Sequence, residues 1–78
     1  MDSKYIQISN EVVGYYDKKM IVRDDYGELY FVPCEDEDIA NEHKGCMMPI
    51  HCLWHISQLS KLERNPIISI FGGENNGI

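Results

Sequence analysis

The chain has 78 residues and no long apolar run, so no segment reads as a membrane span. Residues 1–15, MDSKYIQISNEVVGY, lack the basic start and continuous apolar centre of a signal peptide. The expectation is therefore a cytoplasmic protein with no membrane partner. Three cysteines (Cys34, Cys46, Cys52) are an odd count, which suits reduced thiols better than a disulfide framework. There is no Cys-x-x-Cys pair, no internal repeat and no catalytic motif. So short a chain also struggles to enclose a pocket of roughly 300 Å³, and a non-enzymatic role is expected.

The most informative shortage is of positive charge in one stretch. From Asp24 to Glu42 there is no Lys or Arg, yet Asp24, Asp25, Glu28, Glu35, Asp36, Glu37, Asp38 and Glu42 all fall there. The whole chain is −6, so the remainder is slightly basic and the charge is one-sided. Such a balance disfavours direct contact with nucleic-acid phosphate.

What is present fits one small folded domain over residues 1–71, with 72–78 as a flexible tail. Apolar residues make up 44%, and five tyrosines and one tryptophan argue against disorder. Tyr5–Ser9 and Val12–Tyr16 read as strands, with Gly14 marking a bulge or a close backbone approach. Met20–Arg23 and Glu28–Val32 read as a β-hairpin. Asp24-Asp25-Tyr26-Gly27 would form a type I turn with a following bulge, Gly27 supplying the positive φ. Pro33 should end the second strand. Cys34–Gly45 reads as a loop and a short helix closed by Gly45.

Residues 46–56 are ambiguous. Ile50, Cys52, Trp54 and Ile56 alternate with His51, Leu53, His55 and Ser57 at a strand period, while Pro49 suits a helix start. The spacing of Ile56, Leu59 and Leu62 favours a helix from Pro49 to Arg64, stopped by Asn65-Pro66. Ile67–Phe71 then reads as a last buried strand. The fold expected is α+β: a small curled antiparallel sheet of four to five strands with one packed helix. If residues 47–57 are strand instead, an SH3-like or OB-like small barrel results.

Four constellations bear on function. Cys34, His43, Cys46, His51 and His55 supply nitrogen and sulfur donors within a short stretch, and zinc takes four such ligands in a tetrahedron. Their spacings match no zinc template, and Cys52 reads as a small core residue on either a strand or a helix. A Cys/His nucleophilic pair is the second, but a thiolate at Cys34 would be repelled by Glu35, Asp36, Glu37 and Asp38. The third is the acidic stretch, whose field would steer a basic partner into contact or, more simply, keep a cytosolic protein soluble. Its consecutive carboxylates do not have the alternate spacing of a Ca²⁺ loop. The fourth is aromatic: Tyr15, Tyr16, Tyr26, Tyr30 and Trp54 exceed what so thin a core can bury, and exposed Tyr and Trp anchor interfaces.

Together these favour a small acidic binding protein that inhibits or modulates a larger protein with a basic, nucleic-acid-binding groove. Phages and mobile elements carry anti-defence proteins of this sort. The expected contact residues are the eight acids and Tyr26, with no cofactor. The alternatives are a structural zinc domain on the Cys/His set, or a barrel that binds peptide or single-stranded nucleic acid. A homodimer paired through an edge strand, Tyr5–Ser9 or Ile67–Phe71, is compatible with each.

Overall fold

A computed structural model describes residues 9–72. Four antiparallel strands pair in sequence order: β1 (Asn10–Tyr15), β2 (Lys19–Asp24), β3 (Leu29–Pro33) and β4 (Trp54–His55). A short helix, α1 (Glu37–Glu42), lies between β3 and β4, and α2 (Lys61–Ile67) follows them. The α+β sheet-and-helix architecture is as the sequence implies. The sheet is not closed, so the barrel alternative falls away.

Turn chemistry explains the meander. At Tyr16–Lys19 the two end residues exchange backbone hydrogen bonds of 2.9 and 3.1 Å. Asp17 and Lys18 between them both have positive φ, the tight turn whose twist matches paired strands. At the second hairpin Gly27 N–H donates to the Asp24 carbonyl (3.1 Å), and Asp24 N–H donates to the Glu28 carbonyl (3.0 Å). Gly27 sits at φ +85°, which is the turn and bulge expected there. Pro33 ends β3, opposite Lys19.

The sheet is covered on both faces. Strand alternation sends Val12, Met20 and Val22 to one face, where Ala40 of α1 packs on them with Tyr15, Tyr30, Val32, Met48 and Leu53. Ile21, Leu29 and Phe31 point to the other face and pack with Ile56 and Ile67. A bulge between Val12 and Gly14 shifts the β1–β2 register. It brings Gly14 against Phe71, so both readings of that glycine hold. The outer edge of β1 is also occupied. Gly45 N–H donates to the Val12 carbonyl (2.8 Å), Val12 N–H to the Cys46 carbonyl (2.9 Å), and Met48 N–H to the Asn10 carbonyl (2.8 Å).

The C-terminal half departs from expectation. No helix spans Pro49–Arg64. Residues 50–52 and 56–58 are single 3₁₀ turns, with β4 between them. Pro49 and Leu53 are extended, and the chain there supplies a partner to β3 through Tyr30↔His55 and Phe31↔Trp54. The helix begins at Lys61 because Ser60 caps it: Glu63 N–H donates to Ser60 Oγ, and the Glu63 carboxylate accepts from Ser60 N–H. Asn65-Pro66 does not stop it. Pro66 sits inside α2, and Ile68–Gly72 continues as a π turn. A proline removes one N–H and crowds the carbonyl four residues back, and local widening relieves that strain. Ile67–Phe71 is thus helical and offers no edge strand for a dimer, and Gly72, assigned to the tail, belongs to the same π turn. Most of Tyr5–Ser9, and residues 73–78 of the expected tail, lie outside the described residues.

A Cβ at position 14 would overlap Cε1 of the Phe71 ring. Gly14→Ala should therefore cost about 1–3 kcal/mol by forcing the ring from its seat. Urea unfolding measures this, and an unchanged midpoint would refute the close approach.

Candidate functional site

The acids form one stretch in sequence but two groups in space. Asp24, Asp25 and Glu28 belong to the β2–β3 turn. Glu35, Asp36, Glu37, Asp38 and Glu42 follow the far end of β3, a five-residue strand about 17 Å long. The single pole expected from the sequence is divided by the strand that joins its halves.

Several of these carboxylates hold the fold. Asp24 Oδ1 accepts from Tyr26 N–H (2.8 Å) and Glu28 N–H (2.9 Å), and its Oδ2 accepts from the Tyr30 hydroxyl (3.2 Å). Asp25 Oδ2 accepts from Ser9 N–H (3.1 Å). Glu28 Oε1 meets His55 Nε2 at 2.5 Å. Asp36 is the N-cap of α1, accepting from Asp38 N–H (3.0 Å) and Ile39 N–H (3.3 Å). The side chains of Glu35, Glu37, Asp38 and Glu42 make no hydrogen bond or ion pair among the described residues, and all four are exposed. Ile39 lies among them, 47% exposed.

The tyrosines divide likewise. The Tyr15 hydroxyl donates to the Cys34 carbonyl (2.8 Å) and Tyr30 to Asp24, whereas Tyr26 is 70% exposed at the hairpin turn. Burial raises the pKa of Tyr15 above its ordinary value near 10, and Cys34, Glu37, Asp36 and Glu35 add to the rise. Burial also raises Tyr30, assisted by the charge and hydrogen bond of Asp24 and by Glu28. Trp54 stacks on Phe31 with centroids 6.1 Å apart and remains half-exposed.

The sequence-proposed zinc ligands are not brought together. Among the described residues, no three of His, Cys, Asp and Glu converge where one ion could be held. Cys34 Sγ donates to the Asp36 carbonyl (3.3 Å), and His43 Nδ1 bonds the Ile39 carbonyl (2.8 Å) within its own helix. Cys46, His51 and Cys52 are exposed, so Cys52 is not the core residue expected, and His55 is turned toward Glu28. The helix that was to align His51 with His55 does not form.

Sequence reasoning missed the chain Glu28–His55–Ser57. His55 Nδ1 lies 2.8 Å from Ser57 Oγ and accepts from Ser57 N–H (3.1 Å), so Nε2 carries the proton that faces Glu28. Tyr30 packs edge-on against the imidazole at 5.3 Å. The three residue types match a nucleophile, base and acid, but the chemistry does not. The Nδ1 lone pair is already given to the Ser57 backbone N–H, as befits the N-cap of the turn at Ile56–Gln58. The group pins β4 to the hairpin. Only the pairing of strands 27 positions apart creates it, and no local spacing signals it.

No protein-family model matches the chain, and neither a curated protein nor a solved structure matches it.

Removing a structural acid should differ from removing an unengaged one. Asp36→Ala should destabilise by about 1 kcal/mol through loss of the cap. Glu37→Ala should stay within about 0.5 kcal/mol of the parent. Equal denaturation midpoints for the two variants would contradict the division. The tyrosines set an alkaline limit. A tyrosine with a raised folded pKa keeps its proton after the unfolded chain has lost its own. Its contribution is therefore complete below pH 10 and declines as pH rises through the folded value. Tyr15→Phe with Tyr30→Phe should flatten the loss of stability above pH 10, followed by denaturant midpoints at each pH. A loss as steep as the parent's would assign the limit to other groups.

Proposed function

We propose that the chain is a small, non-enzymatic binding protein that acts through the exposed carboxylates of Glu35, Glu37, Asp38 and Glu42. Its partner is a larger protein with a basic groove of the kind that holds nucleic acid, and the chain inhibits or modulates it by occupying that groove. The observation that carries this reading is the division of labour among the acids. Four carboxylates secure turns, a helix cap and β4, while these four have no internal role among the described residues. Carboxylates crowded onto one short segment repel one another, and a cationic surface relieves that repulsion. Their field also raises the rate of encounter with such a surface, by roughly 10- to 1,000-fold at low salt. Ile39, exposed within the group, offers apolar contact at its centre.

Asp24, Asp25, Glu28 and Asp36 were expected to share in binding. Here they serve the proposal by shaping the fold, and Asp36 in particular sets where α1 begins. Tyr26 stands beside the hairpin acids and would add a second, smaller contact. An anti-defence role in a phage or mobile element remains the biological setting that suits this chemistry.

The test replaces Glu35, Glu37, Asp38 and Glu42 with lysine and leaves Asp36 in place, so that the helix cap survives. The parent should retain a nucleic-acid-binding protein from lysate, and added oligonucleotide should displace it. The quadruple variant should retain nothing at physiological salt while keeping the parent's circular dichroism spectrum. Equal retention by a folded variant would overturn the proposal.

A further inference from the structure

We draw no further inference here: the strongest candidate, the solvent-facing apolar side chains of Leu62 and Ile70 along the helix over residues 61–72, is an unpartnered apolar face, and nothing in the structure shows what covers it.

Discussion

Strand β2 has no side chain to spare for water between Met20 and Val22. Met20, Ile21 and Val22 are all buried, and they point alternately to opposite faces. A sheet with that central strand must be covered twice, and a short chain has few residues with which to do it. Much of the architecture follows from this constraint. Ala40 brings α1 onto one face, and its small side chain permits the close approach. Ile56, Ile67 and Phe71 close the other. The bulge at Gly14 opens the space Phe71 enters, and Arg23 donates to the Phe71 carbonyl (2.8 Å), tying the end of that helix back to β2. Pro66 is tolerated in α2 for the same reason: ending the helix there would withdraw Ile67 and Phe71 from the core.

The same economy bears on the acids. A thin domain has few apolar contacts with which to fix its loops, and carboxylates do part of that work. Asp24 alone organises a turn and receives a tyrosine hydroxyl from the neighbouring strand. Glu28 reaches β4, a strand only two residues long, through His55. These side chains are partly or well exposed, so each contact is modest, on the order of 1 kcal/mol or less, and their value lies in placing the chain. Glu35, Glu37, Asp38 and Glu42 have no such duty among the described residues. The proposed cationic partner at α1 rests on that contrast rather than on total charge.

Much of the N-terminal half was legible in the sequence because its signals are local. Asp24 and Gly27 specify a turn whatever surrounds them, Pro33 ends a strand by lacking a donor, and Gly45 accepts φ +89° after α1. The segments Met20–Arg23 and Glu28–Val32 were legible as the two strands of that hairpin, and they supply much of the core. The acids were equally visible as residues, but their grouping was not. A run in sequence looks like one feature, yet a five-residue strand inside it carries its halves to opposite ends.

The C-terminal half was decided by tertiary structure. Between Cys46 and Ile56 the apolar spacing suits helix and strand almost equally, and Ile67–Phe71 has the apolar run of a strand although it is helical, so local preference is too weak to choose. What chose was the need of β3 for an edge partner, met by Trp54 and His55, and of the second sheet face for cover, met by Ile67 and Phe71. Both needs arise only once the sheet exists. The sequence by itself determined the hairpin turn at Asp24–Gly27, the strands of the N-terminal half and the excess of acid, whereas the two-sided core appeared only in the structure. Tertiary contact decided which carboxylates are spent on the fold, because hydrogen-bond partners such as Ser9 for Asp25 and His55 for Glu28 lie 16 and 27 positions away.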